Sequence, residues 1–167
     1  MIAFLEEDKG LKKTFVGKTY IPFMSEMKKK GYRPFDVEIE GGSKRTYSAI
    51  WMENTDKRAW AIHTKLTHEA FSNKWKELKN KGYRIVDQES YRLGGKQYYG
   101  GIWVKNKENL AWASFRNLTS KEFSTKFDEY KKKGYMPVDV EAYKSGNTTK
   151  YSVIWVKNTK NLQWALW

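Results

Sequence analysis

Residues 131–140 read KKKGYMPVDV, and close copies of this decapeptide stand at 28–37 (KKKGYRPFDV) and 79–88 (KNKGYRIVDQ). Each copy follows a stretch with apolar residues at positions i, i+4 and i+7, which is the spacing of one helix face. The glycine in each copy can adopt the left-handed conformation that ends a helix. Alternating apolar residues after it are typical of a half-buried strand. The decapeptide therefore predicts a place where a helix gives way to a strand, three times in the chain.

Two sets of tryptophans indicate that a longer unit repeats around the decapeptide. Within each set the interval is 52 residues, and a fixed interval of this kind is the signature of a repeat architecture. The sets are Trp51, Trp103, Trp155 and Trp60, Trp112, Trp164. We predict a single repeat domain over 1–167, made of a capping segment and three repeats. Their bounds are 1–17, 18–66, 67–118 and 119–167.

Each repeat is predicted to be a helix followed by three strands. Thr67 and Thr119 stand as N-caps of the second and third helices, and Thr119 forms a capping box with Glu122. The first helix has Val16–Gly17 at the corresponding place, so we expect it to begin near Thr19. The second strand of each repeat is apolar on both faces, which is typical of a central strand.

The predicted fold class is α+β, with three tandem helix-strand-strand-strand repeats of about 52 residues packed as one body. The third strand of a repeat runs into the next helix and onward to a strand. We therefore expect strand-helix-strand crossovers between repeats, whose hand the sequence leaves open. In the capping segment, Ile2–Leu5 is the candidate for a strand that replaces the end of a missing preceding repeat.

Composition limits the possible classes of function. Thirty-two basic residues against nineteen acidic ones give a net charge of +13, which favours anionic partners. Cysteine is absent, which excludes disulfides and thiolate metal sites. No apolar run approaches the ~18 residues of a membrane span, and the amino terminus lacks the pattern of a secretory signal. We expect a soluble chain of undetermined compartment, secreted or in the cell envelope if a signal has been removed.

The repeated pattern resembles the family called bacterial tandem repeat domain. The likeness is carried best by 134–139 (GYMPVD) and 151–155 (YSVIW), and the first repeat matches at 31–36 (GYRPFD). The second repeat departs at Ile85, where the family has proline. Such repeats occur in bacterial proteins and beside β-lactamase-like serine hydrolase domains, and they are similar to the amino-terminal domain of polyglycine hydrolases. The resemblance implies a non-catalytic accessory or binding module.

Catalytic machinery is not recognisable in the sequence. The only histidines, His63 and His68, would make at most a poor two-ligand metal site with Glu69, and surface histidines are the simpler interpretation. Nucleophile, phosphate-loop and catalytic metal motifs are lacking. We therefore predict that the chain is not an enzyme and has no catalytic residue, metal or cofactor.

Carboxylates recur two positions apart in the first strand of each repeat. They are Asp36 and Glu38, Asp87 and Glu89, and Asp139 and Glu141. Carboxylates at i and i+2 share one face of a strand and can meet a cation or act as an acid/base pair. The aspartate of each pair can equally accept backbone N–H bonds or pair with a neighbouring lysine in every repeat. We favour the structural interpretation, because a catalytic site seldom appears in triplicate.

Aromatic residues allow a second pair of interpretations. Tryptophans can stack on sugars or on single-stranded bases, yet tryptophan at fixed strand positions in every repeat is also what a repeated core requires. We predict that both tryptophan sets are core residues. Trp75 is expected on the buried helix face, and Trp167 is the tryptophan expected to be exposed.

Lysines at the helix ends are the candidate binding residues, and we call them the lysine rim. They are Lys28, Lys29, Lys30, Lys79, Lys81, Lys131, Lys132 and Lys133. Nucleic acid or an acidic polysaccharide can bind such a rim through phosphate or carboxylate contacts. The same lysines can also simply offset the helix dipole and favour solubility.

Three functions stay open from sequence. The first is a non-catalytic binding or scaffold module that recognises a protein or a cell-envelope polymer. The second is a polyanion binder that acts through the lysine rim. The third is a purely structural repeat.

Overall fold

Residues 11–17, 20–42 and 45–165 are described by the computed structural model, with side chains for 23–42 and 45–165. This part of the chain contains three helices and nine strands. Their bounds are β1 Leu11–Gly17, α1 Tyr20–Lys29, β2 Tyr32–Glu40, β3 Thr46–Glu53, β4 Trp60–Leu66, α2 His68–Asn80, β5 Tyr83–Leu93, β6 Lys96–Lys105, β7 Trp112–Leu118, α3 Ser120–Lys132, β8 Tyr135–Ser145 and β9 Thr148–Lys157. The fold is α+β and consists of three tandem repeats.

The described strands form three antiparallel sheets of three strands each, and in every sheet the strand that comes last in the chain lies in the middle. The strand orders are β1-β3-β2, β4-β6-β5 and β7-β9-β8. Both outer strands run antiparallel to the central strand, so they run parallel to each other, and a helix connects them. The strand that begins at Trp60 pairs with β6 and so completes the second sheet.

The first sheet takes its outer strand from the amino-terminal segment. β1 pairs with β3 from Leu11–Met52 to Gly17–Tyr47 and has the place that β4 and β7 have in the other sheets. The strand predicted at Ile2–Leu5 lies outside the described residues. Sequence analysis did not find β1, whose pairing register with β3 shifts between Leu11 and Lys13.

Helix ends follow the predicted local rules. Thr67 Oγ1 accepts a hydrogen bond from the Ala70 N–H at 3.2 Å. Thr119 forms the capping box with Glu122, whose carboxylate accepts the Thr119 N–H at 2.7 Å. After the helices, Gly31, Gly82 and Gly134 have φ of 81°, 73° and 71°. This left-handed conformation favours glycine and directs the chain from each helix into its outer strand.

A β-bulge recurs at one place in β2, β5 and β8. The register shifts between Pro34 and Asp36, between Ile85 and Asp87, and between Pro137 and Asp139. Val37 and Ile39 are 0% and 5% exposed, whereas Phe35 is 46% exposed. The alternation of apolar residues predicted after the glycine would place Phe35, Val37 and Ile39 on one face. It is wrong at Phe35, because a bulge inserts one residue into the alternating pattern.

The middle of each sheet is occupied by a tryptophan. Trp51, Trp103 and Trp155 are fully buried. An aromatic side chain of the helix contacts each of them, with ring-centroid distances of 6.0 Å for Phe23–Trp51, 5.5 Å for Phe71–Trp103 and 5.8 Å for Phe127–Trp155. Ile102 and Ile154, on the other face of the central strands, are also buried. The prediction that this strand is central is confirmed in all three sheets.

The chain divides into two compact units, one holding the described residues up to 106 and the other those from 107 onward. In the first unit, β2 and β5 lie side by side. The Gly42 N–H donates to the Arg92 carbonyl at 3.1 Å, and the Ile39 N–H donates to Glu89 Oε2 at 3.0 Å. The second unit contains β7, α3, β8 and β9. Packing of all three repeats as one body stays a prediction.

We expect Trp155→Ala to lower the free energy of unfolding by about 3–5 kcal/mol, because it removes a fully buried aromatic ring and leaves a cavity. Urea denaturation followed by circular dichroism measures this loss. The matched control is Trp164→Ala, at a half-buried tryptophan of the same repeat, and it should cost less. Equal unfolding midpoints for Trp155→Ala and the parent would contradict the central role of this ring.

Candidate binding surfaces at the helix ends

The lysine rim is exposed at the end of each helix. In all three repeats one of its lysines is engaged by a glutamate one turn earlier. Lys30 pairs with Glu26, Lys81 with Glu77 at 2.8 Å, and Lys133 with Glu129 at 2.7 Å. The arrangement of the three helix ends into one common rim stays a prediction.

Two of these glutamates, Glu77 and Glu129, have a strongly lowered pKa. Hydrogen bonds from Lys74 and Lys81 lower the pKa of Glu77 to about 2. Glu129 lies between Lys126 and Lys133 in the same way, and hydrogen bonds from these lysines lower its pKa to about 2. Both carboxylates therefore stay ionised at neutral pH. The positive charge available to a ligand at these helix ends is consequently smaller than the number of lysines indicates.

Other rim lysines lie over aromatic rings. Lys28 Nζ is 5.7 Å from the Trp60 ring centroid, Lys79 Nζ is 4.6 Å from Trp75, and Lys131 Nζ is 5.6 Å from Trp164. Such cation–π contacts stabilise partly exposed ammonium groups. Trp60, Trp112 and Trp164 are half-buried. The core prediction therefore holds for the central tryptophans, while these outer ones present part of their rings at the surface.

Sequence analysis missed two lysines that act on helix ends from a strand. Lys105 Nζ donates to the Lys81 carbonyl at 2.7 Å, and Lys157 Nζ donates to the Lys133 carbonyl at 2.6 Å. An ammonium group at a helix carboxyl end is favourable because the last carbonyls carry partial negative charge. The 52-residue interval between Lys105 and Lys157 was a usable signal. The first repeat has Glu53 at this position.

A groove in the first unit lies beside one end of the rim, and we call it the Trp60 groove. Its volume is about 510 Å³. The residues that line it are Lys28, Gly31, Tyr32, Asn54, Lys57, Arg58, Ala59, Trp60 and Tyr83. Lys28 comes from the end of α1 and Tyr83 from the residues just after α2. The groove thus brings one rim lysine together with aromatic and basic residues that were not predicted as site residues.

The turn before β4 positions the basic side of the Trp60 groove. Asn54 closes this turn with its side chain, which donates to the Arg58 carbonyl and accepts the Arg58 N–H, each at 2.9 Å. Lys57 has a φ of 48°. The Arg58 guanidinium bonds Asp56 Oδ2 at 2.7 Å, which holds the arginine side chain in place. Asparagine in this role is typical of a tight turn.

The two histidines are separated in the structure and contact different aromatic residues. His63 is half-buried, with its ring 5.9 Å from Trp103, and the exposed His68 has its ring 6.0 Å from Tyr99. Burial lowers the pKa of His63, and the nearby Lys74 lowers it further, while Glu77 acts in the opposite direction. Among the described residues, no group of three or more His, Asp or Glu side chains is placed to hold a metal ion.

The recurring carboxylates differ between repeats. Glu89 is buried and accepts the Ile39 N–H, so it joins the edges of two sheets. Burial, and then the charge of Asp36, raises the pKa of Glu38. Glu141 accepts a hydrogen bond from the Ser152 hydroxyl at 3.2 Å. Glu89 thus accepts a backbone N–H bond, whereas the structural interpretation assigned such bonds to the aspartates, where it stays a prediction.

These observations define a tandem-repeat α+β protein with aromatic and basic residues at its helix ends. Three segments, 19–54, 57–106 and 109–158, match the family described as polyglycine hydrolase-like, structural repeat. The chain belongs to this family. The second and third matched segments begin before β4 and β7, so each spans one complete sheet with its helix. No curated protein matches the chain.

Within the described residues, no helix has the length and apolar character needed to cross a bilayer.

We predict that His63 makes folding stability depend on pH. The folded pKa is lowered from 6.5, so the stabilisation is complete above pH 6.5 and is lost as the pH falls from there towards the folded pKa. His63→Phe introduces the residue that the third repeat has at Phe115 and should remove this dependence. Thermal melts between about pH 7.5 and 5.5 measure it. His68→Gln should keep the parent's dependence, and a His63→Phe curve parallel to the parent's would contradict the assignment.

Proposed function

We propose that the chain is a non-catalytic binding and scaffold module that recognises a protein or a cell-envelope polymer. The observation that carries the proposal is the Trp60 groove, with its volume of about 510 Å³. Ligand pockets typically measure roughly 300–1,000 Å³. Most of the repeated residues have a structural task in the core, caps or turns. The groove, in contrast, contains Lys57 and Arg58, where the other repeats have asparagine and leucine.

Membership of the family supports a proposal about the partner and the compartment of this module. Repeats that this chain resembles stand beside serine hydrolase domains, so we propose that it works with such a hydrolase, outside the cell or in the cell envelope. We also propose that the three repeats pack as one body. Connections from one parallel strand to another through a helix are nearly always right-handed, and we assign that hand to the strand-helix-strand crossovers.

Blocking the groove tests this function. Ala59 is exposed and lines the groove, so Ala59→Trp should fill it without disturbing the core. We expect the parent chain to co-sediment with insoluble peptidoglycan, which carries carboxylates, and Ala59→Trp to remain in the supernatant as it does without polymer. Ala111→Trp, at the equivalent exposed position of the next repeat, is the matched control. Equal sedimentation of both variants with the parent would rule out the groove as the binding surface.

A second candidate function is polyanion binding through the lysine rim. The observation that favours it is the exposure of every rim lysine, together with the net charge of +13. Lys29 and Lys132 are exposed at their helix ends and extend the positive surface beyond the lysines that pair with glutamate. Contacts of this kind act mainly through phosphate or carboxylate groups and release counterions on binding.

Salt dependence tests the second candidate. Counterion release at only two contacts predicts that affinity for heparin or single-stranded DNA falls about tenfold between ~50 and ~200 mM salt. Lys29→Ala with Lys132→Ala should weaken binding more than Lys76→Ala with Lys96→Ala, which removes two exposed lysines elsewhere. Fluorescence anisotropy measures both effects. Affinity that does not change with salt, or equal losses in the two double variants, would exclude the rim as the site.

A further inference from the structure

We propose that the Trp60 groove binds a carboxylated sugar residue, the repeating unit of an acidic polysaccharide. This inference rests on the proposed function, because it specifies the ligand class of the same groove. Three properties of the groove lead to it: its charge, its aromatic surfaces and the helix end that borders it.

The charge of the groove favours an anionic ligand. Lys28, Lys57 and Arg58 line it, and none of the described lining residues is acidic. Asp56 lies on the Arg58 guanidinium at 2.7 Å and offsets one of the three charges. The Asn54 amide is engaged in closing its own turn. The polar groups left for a ligand are therefore mainly cationic, and they match one or two carboxylates.

The aromatic rings that line the groove suit a ligand with a flat apolar face. Trp60, Tyr32 and Tyr83 line it and are half-buried, so each presents part of its ring. Lys28 Nζ lies 5.7 Å from the centroid of the Trp60 ring. A ligand placed against this ring therefore meets the ammonium group as well. A pyranose ring with a carboxylate combines the C–H face that stacks on tryptophan with the charge that lysine attracts.

The neighbouring helix end distinguishes a carboxylated sugar from a phosphate ligand. Gly31, just after α1, lines the groove, and the end of a helix carries partial negative charge on its last carbonyls. The Gly31 carbonyl accepts the Asn54 N–H at 2.8 Å and has a second lone pair. A sugar hydroxyl can donate to such a carbonyl, whereas a phosphate dianion can only accept. In the other repeats Lys105 and Lys157 donate to the corresponding carbonyls, but the first repeat has Glu53 in this position.

A sequence difference between the repeats favours this groove in particular as the binding site. Lys57 and Arg58 correspond to Asn109 and Leu110 in the second repeat. The turn itself is the same, because Lys57 and Asn109 have φ of 48° and 50°. A left-handed backbone favours asparagine over lysine, so lysine here brings charge at some conformational cost. Selection for the turn alone does not account for this pair of residues.

The comparison between repeats supplies a test variant that keeps the turn. Lys57→Asn with Arg58→Leu installs the pair found in the other repeats, so we expect the variant to fold, which a thermal melt checks. Lys76→Asn with Lys121→Asn removes two exposed lysines outside the groove and is matched in charge. Lys57→Asn alone leaves the Asp56–Arg58 pair intact and replaces the double variant if that variant unfolds.

Isothermal titration calorimetry with trigalacturonate tests the inference, with maltotriose as the neutral sugar and tripolyphosphate as the phosphate anion. We expect trigalacturonate to bind the parent and maltotriose not to bind. The groove variant should lose about tenfold or more in affinity and the control variant less than about twofold, because hydrogen bonds to charged groups contribute roughly 1.5–3 kcal/mol. A hyaluronan tetrasaccharide, which carries glucuronate, should bind in the same variant-dependent way.

Three results would overturn the ligand class. Trigalacturonate could fail to bind, the two double variants could lose equal affinity, or tripolyphosphate could bind more tightly than trigalacturonate in a groove-dependent way. If one of these results is found and Ala59→Trp still abolishes sedimentation with an insoluble polymer, only the carboxylated sugar is rejected. The groove then remains a binding surface. Normal sedimentation of Ala59→Trp would instead reject the groove as the site of the proposed function.

Discussion

The rest of the structure depends on the burial of one tryptophan at the centre of each sheet. Trp51, Trp103 and Trp155 are fully covered, and in each repeat a helix aromatic contacts the indole. A ring of this size on a three-stranded sheet stays dry only if a helix crosses the sheet above it. The helix must therefore begin and end at fixed places relative to the strands. The threonine caps and the left-handed glycines set these places in the second and third repeats.

Surface charge in this protein is closely tied to local structure. Glu77 and Glu129 each bind two lysines, and Lys105 and Lys157 stabilise helix carbonyls. Such exposed pairs contribute little individually to stability, but they reduce the charge that a ligand meets. The most informative surface positions are consequently those where the repeats differ. Lys57 and Arg58 are such a pair, because the backbone of their turn is the same in the other repeats while the side chains differ.

Prediction from sequence succeeded where the cause is local. The capping box at Thr119 and the glycine after each helix depend on neighbouring residues only, and both were predicted correctly. Prediction failed where the structure depends on the pairing between strands. The exposure of Phe35 follows from a bulge against β3, and the strand Leu11–Gly17 is recognisable only through its partner β3. The outer tryptophans were assigned to the core because repetition does not distinguish full from partial burial.

The sequence by itself determined the repeat, its period, the helix boundaries of the second and third repeats and the α+β class. Each of these follows from patterns that recur within about 52 residues. Only the tertiary structure decided which strands share a sheet, which lysines are engaged by carboxylates and that Lys28, Arg58, Trp60 and Tyr83 surround one groove. The physical reason is distance along the chain. Those four residues belong to different elements, so their proximity depends on the packing of whole repeats and not on the local preferences of any segment.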